Sequence, residues 1–176
     1  MKFTETALYG AYLIELDPKA DQRGFLARTF CREEFAAHKL KTEIAQANLS
    51  YNQKKGTLRG LHYQEQPYAE AKLVQCIKGA VYDVIIDLRK DSPTYAKWAA
   101  FELDALKRHI LYVPEGLAHG FQTLEDETLV YYLMFEVYAH KYARGVRWND
   151  PVFGIKWPLT DPVISSKDRS WPDFKK

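Results

Sequence analysis

Thr57-Leu-Arg-Gly-Leu-His-Tyr-Gln64 sets a cation, Arg59, three residues before an imidazole, His62, with Gly60 between them. Side chains alternate across a strand, so residues three apart point to opposite faces. Arg59 and His62 can share a cavity only if the strand takes in one extra residue. A glycine inside a strand is a common mark of such a bulge. A regular strand would instead leave His62 as a hydrogen-bonded core histidine, the commoner fate of a lone one.

Outward from this stretch the chain reads as short strands separated by turn signals. Gln46 to Asn52 alternates, which places Gln46, Asn48, Ser50 and Asn52 on one face, either a solvated edge or the lining of a wet pocket. Further strands are expected at Ala11–Leu16, from Lys72 to Ile77, and at Ala80–Leu88, Trp98–Leu103, His109–Val113 and Thr128–Tyr138. Asp17 to Gly24 reads as a polar turn, Lys54-Lys55 as another, and Arg32 to Lys39 as a short helix with Phe35 inward. Many strands about ten residues apart with little helix argue for an all-β jelly-roll sandwich with short peripheral helices. From Ala139 the pattern weakens into a turn-rich tail with at most one short helix. No linker or repeat divides the chain, so one domain over residues 1–176 is expected, the tail packing on it.

The 176 residues are enough to bury a core without staples, and 47% hydrophobic content argues against disorder. No apolar run approaches the length of a membrane span, and the first residues lack the apolar core of a signal peptide. Two cysteines, Cys31 and Cys76, make no disulfide framework, which fits a cytoplasmic protein. A formal charge of +2, dispersed along the chain, argues against a nucleic-acid partner and suits a small anionic ligand.

Arg59 with His62, then Lys72, Tyr132 and Asp168, supply the parts for moving a proton beside a carbonyl: a base, its orienting partner, a cation for the oxyanion and a second acid. A second motif, Pro114-Glu-Gly-Leu-Ala-His-Gly-Phe121, resembles the histidine-bearing motif of the cupin jelly roll. Cupin metal sites draw two histidines from the first motif. Here the second position is Gln64, a poor ligand beside imidazole, thiolate or carboxylate, so no metal is expected.

The combination of Arg59-Gly-Leu-His62-Tyr-Gln64, Lys72-Leu-Val74, the Pro114–Phe121 motif, Tyr132, Arg144-Gly-Val-Arg-Trp-Asn-Asp-Pro151 and Ser166-Lys-Asp-Arg-Ser-Trp-Pro172 resembles the dTDP-4-dehydrorhamnose 3,5-epimerases, collinearly over nearly the whole chain. The resemblance implies a homodimeric cupin that uses neither metal nor redox cofactor and acts on a nucleotide-linked 4-keto-6-deoxyhexose in surface-polysaccharide or deoxysugar biosynthesis. It implies His62 as base, Asp168 as the carboxylate that holds it, Lys72 at the enolate oxygen and Tyr132 as the acid on the far face. It further assigns Arg23, Gln46, Asn48, Arg59, His119 and Lys167 to the sugar and diphosphate, and Tyr138 to stacking on the base.

Two departures bear on the substrate. The family usually carries glutamates where this chain has Arg28 and Ala143, near the nucleotide, and arginine cannot accept a hydrogen bond from a thymine imide. Arg28 therefore points to a base other than thymine, such as cytosine or guanine. After Tyr132 the family's polar run is replaced by Leu133-Met-Phe-Glu-Val137, which leaves open whether carbon 3, carbon 5 or both are inverted. Two other classes match parts of the pattern. A non-catalytic sugar-nucleotide-binding cupin would be marked by loss of His62, Asp168 or Tyr132, and a metal-dependent cupin enzyme by a second histidine.

Overall fold

A computed structural model describes residues 1–175. In chain order it contains β1 (Lys2–Glu5), β2 (Tyr12–Glu15), β3 (Lys19–Asp21), β4 (Gly24–Leu26), α1 (Arg32–Ala37), β5 (Gln46–Asn52), β6 (Thr57–Gln64), β7 (Lys72–Lys78) and β8 (Ala80–Asp87). Then come β9 (Trp98–Asp104), β10 (Ile110–Val113), β11 (Leu117–Thr123), β12 (Thr128–Met134), a 3-10 turn at His140–Tyr142, β13 (Ala143–Gly145), β14 (Val163–Ile164) and α2 (Ser166–Arg169). One sheet runs β1-β2-β10-β7-β12-β5, and the other β13-β6-β11-β8-β9 with β14 beside β6. Together they form the expected all-β jelly-roll sandwich.

Three apolar clusters explain why the strand text departs from simple alternation. Val74, Cys76, Leu111 and Val130 of the first sheet meet Val81, Ile85, Leu103 and Phe121 of the second to fill the space between them. The outer face of the first sheet is covered around α1, where Phe35 is fully buried with Ile14, Leu73, Tyr112, Leu133 and Phe135. The tail covers the outer face of the second sheet through Val146, Phe153 and Ile155, which pack on Leu61, Val84 and Ile86. A strand covered on both faces reads as a continuous apolar run, as Val84-Ile85-Ile86 does.

Several expectations need correction. The stretch Asp17–Gly24 is not only a turn, because β3 and β4 pair as a separate hairpin. The strand expected to reach Tyr138 stops at Met134, where Phe135 turns its N–H to the Ala71 carbonyl (3.0 Å) and the Glu136 carboxylate accepts from the Val137 N–H (2.8 Å). The tail holds more than turns: β13 and β14 both pair with β6, antiparallel and parallel respectively.

The bulge lies where the sequence places it. His62 pairs with His119 and Arg59 with Phe121, so three steps along β6 match two along β11. Arg59 and His62 consequently face the same way, into the space between the sheets. The partner of Gly60 is a second glycine. A Cβ on Gly60, whose φ is +118°, would lie 2.6 Å from the Gly120 Cα, and a Cβ on Gly120 would lie 2.6 Å from the Arg59 carbonyl oxygen. Gly120→Ala is therefore expected to cost about 1–3 kcal/mol through overpacking. At about 2–4 °C per kcal/mol for a chain of this size, thermal unfolding should show a clear fall in Tm.

Candidate active site

Between the sheets, at the polar end of the interlayer space, lies a cavity of about 490 Å³ lined by Arg59, His62, Glu70, Lys72, His119, Tyr132, Tyr138, Lys167, Asp168 and Trp171 among others. Its size falls in the usual range for small-molecule sites. His62 and Arg59 come from β6 in one sheet, Lys72 and Tyr132 from β7 and β12 in the other. His62 and Tyr132 thus stand on opposite walls of one chamber.

Asp168 reaches His62 through the tail. Pairing of β14 beside β6 delivers the chain to Ser165, whose hydroxyl caps α2 by accepting from the Asp168 N–H at 3.1 Å. Asp168 is then buried, with Oδ1 2.6 Å from His62 Nε2 and Oδ2 accepting from the Gly60 N–H at 3.3 Å. When the ring is neutral, the carboxylate selects the Nε2–H tautomer of His62, which leaves the Nδ1 lone pair as the acceptor. Burial pushes the Asp168 carboxyl up, but the His62 hydrogen bond, its charge and the Gly60 amide together bring it below the ordinary aspartate value. The carboxylate is therefore ionised at neutral pH. Tyr132 is shifted the other way: burial raises its phenol above the ordinary value, against the pull of Arg59, so the hydroxyl keeps its proton.

Lys72 is buried, pairs with Glu70 Oε1 at 2.9 Å and donates to the His62 carbonyl at 3.3 Å, which ties the two sheets together beside His62. His119 makes a second imidazole–carboxylate pair, Nε2 to Asp83 Oδ2 at 2.9 Å. Arg59 is aimed by Asn52, whose Oδ1 accepts from Nε at 2.7 Å. The polar face of β5 turns inward: Ser50 lines the cavity, and Asn48 sits opposite Tyr132 in register. Gln46 lies at the same end, where its Oε1 accepts from the Tyr138 N–H. Lys167 is exposed at the mouth, 5.7 Å from the Trp171 ring centre.

Of the residues expected at the site, Gln46 and Asn48 lie beside the cavity without lining it, and Arg23 and Arg28 lie elsewhere in this chain. Arg23 is on the β3–β4 hairpin and pairs with Asp21, and Arg28 pairs with Glu34, so neither lines the cavity. Sequence reasoning missed Glu70, Asp83 and Trp171. Asn52 was legible as the fourth member of the polar face. Asp83 gave no signal, since it sits in an apolar strand and meets His119 only through the β8–β11 register. Gln64, at the cupin ligand position, is buried and spends its amide on the chain: Nε2 donates to the Tyr68 and Val137 carbonyls (2.8 and 3.1 Å) and Oε1 accepts from the Ala139 N–H (2.6 Å). Cys76 is a buried thiol whose pKa burial pushes up to about 12, and Cys31 is also free. Among the described residues no helix is long and apolar enough to cross a membrane.

Comparison with known proteins gives the same picture. The family model for dTDP-4-dehydrorhamnose 3,5-epimerase matches residues 5–176. The dTDP-4-dehydrorhamnose 3,5-epimerase of Methanothermobacter thermautotrophicus is 42% identical over 99% of this chain and 95% of its own length. A dTDP-4-dehydrorhamnose 3-epimerase of Streptomyces niveus is 36% identical over 96% of this chain and 82% of its own. The crystal structure of the Bacillus anthracis 3,5-epimerase with TDP and pyrophosphate bound superposes with a TM-score of 0.95 at 42% identity, covering 98% of this chain and 99% of that one. On the fold, the matched length and these identities, the chain belongs to the dTDP-4-dehydrorhamnose 3,5-epimerase family.

Proposed function

We propose that this chain epimerises a nucleoside-diphospho-4-keto-6-deoxyhexose by removing a proton from a carbon beside the ketone and returning one to the opposite face. The single observation that carries this reading is the placement of the carboxylate-held His62 and the protonated Tyr132 on opposing sheets of one cavity. His62 Nδ1 takes the ring hydrogen, and the electron pair of the C–H bond moves into the ring as the carbonyl becomes an enolate. Asp168 stabilises the imidazolium, Lys72 the enolate oxygen, and Tyr132 supplies a proton from the far side. Positioned acid and base groups contribute roughly 10²–10⁴-fold and an oxyanion partner typically a further few kcal/mol, which together suit such a step.

Gln46, Asn48, Arg59, His119 and Lys167 hold the sugar and diphosphate in this reading, and Tyr138 stacks on the base. One domain carries the activity, in the cytoplasm, where two unpaired thiols are at home. The working unit is a homodimer. Its support is β5, an unpaired sheet edge beside the cavity on which Leu49 and Tyr51 are 61% and 51% exposed. Arg23 and Arg28, outside their own chain's cavity, bind ligand only by reaching the cavity of a second copy.

In solvent-deuterium exchange followed by NMR, His62→Ala should lose exchange at every sugar carbon by at least about 10²-fold. Tyr132→Phe should keep part of the exchange while losing inversion, and inversion at the normal rate would remove Tyr132 from its role. A thermal-shift panel of dTDP, CDP, GDP and UDP tests the base, since a ligand of the folded state raises Tm. The named relatives lead us to expect a shift with dTDP, whereas a larger one with CDP or GDP would make Arg28 and Ala143 base-selecting.

Because the folded pKa of Asp168 is depressed, its contribution to stability is full at neutral pH. It is lost as pH falls through the ordinary aspartate range toward the lowered value, where the unfolded chain binds the proton first. Asp168→Asn should therefore be less stable than the parent at pH 7 in urea titrations, and the gap should narrow below about pH 4.

A further inference from the structure

Among the described residues Glu70 is the one carboxylate on the cavity wall besides Asp168, and no role falls to it in the reaction above. Its side chain is only 3% exposed, Oε1 is committed to Lys72 at 2.9 Å, and Oε2 is buried without a hydrogen-bond partner. A buried carboxylate oxygen left unpaired is costly, and buried polar atoms nearly always find partners. The residue lines the cavity, beside the cation proposed to hold the carbonyl oxygen.

The geometry points to Glu70 as a substrate-orienting residue that accepts a hydrogen bond from the hydroxyl on carbon 3 of the sugar. This inference rests on the epimerase reading above and deepens it. In a 4-keto-6-deoxyhexose the ketone has two neighbours: carbon 3 bears a hydroxyl and carbon 5 a methyl group. An ammonium and a carboxylate oxygen side by side match an acceptor and a donor side by side, which is a carbonyl oxygen next to a hydroxyl. Only the carbon 3 side offers that pair. When His62 takes the hydrogen from carbon 3, the C–H pair becomes the C3–C4 double bond and the carbonyl oxygen becomes anionic. The two oxygens then lie on one planar enediolate, the anionic one on Lys72 and the hydroxyl on Glu70. The hydroxyl also stands between two negative charges that would otherwise repel. A sugar turned over to present its methyl side would leave Oε2 unpaired, so the residue also fixes which way round the ring sits.

The test compares the 4-keto-6-deoxyglucose nucleotide with its analogue lacking the carbon 3 hydroxyl, reading kcat/KM for total solvent-deuterium uptake into the sugar. In the wild type, removing the hydroxyl should lower this value by about 10- to 100-fold, as expected for a hydrogen bond to a charged group. In Glu70→Ala the same removal should change it by less than about 3-fold. Glu70→Gln, which keeps one acceptor, should fall between and covers the case in which the alanine variant does not fold. A variant that slows both sugars alike, with the wild-type ratio between them intact, gives Glu70 a structural role only and overturns the assignment. So does a wild type indifferent to the hydroxyl. Absence of any uptake by the wild type would instead remove the epimerase reading itself.

Discussion

Everything at the site hangs on the close contact of two backbones at Gly60 and Gly120. With no Cβ on either residue, β6 can accommodate an extra residue against β11 and still keep its ladder on both sides of the bulge. That one-residue offset moves Arg59 from the tail-covered face to the interlayer face that His62 already shares with His119. The same bulge presents the Gly60 N–H to Asp168, so the irregularity that aims Arg59 beside His62 also helps to anchor the carboxylate that His62 meets.

The remaining site residues follow from how the sandwich is covered. Because α1 and the tail bury the outer faces, the interlayer space need not be wholly apolar, and its open end holds four charged or polar pairs: His62–Asp168, Lys72–Glu70, His119–Asp83 and Arg59–Asn52. His62, Lys72, His119 and Arg59 each have a fixed hydrogen-bonding partner. Such fixed polar partners restrict the rotamers of long side chains before a ligand arrives, which is the physical content of preorganisation.

Much of this was legible in the chain. Gly60 announced the bulge, the β5 alternation gave a polar face, and Phe35 was the expected inward residue of α1. What stayed hidden was long-range. Asp83 looks like one polar residue in an apolar strand until register sets it near His119. Glu70 gains meaning only from the buried Lys72 beside it, and the β13 and β14 pairings depend on a strand roughly eighty and just over a hundred residues earlier in the chain. The extent of β12 was misjudged because Leu133-Met-Phe reads as strand, whereas a carbonyl in the β7 approach captures the Phe135 N–H.

The route by which Asp168 arrives has a consequence for robustness. The apolar cluster between the sheets draws on strands up to β12 and owes nothing to the segment after Ile164. The dyad, in contrast, needs that segment docked under β6. The anion behind His62 is thus supplied by a part of the chain that the central core does not use, so damage confined to that segment can remove the dyad and leave the core contacts intact.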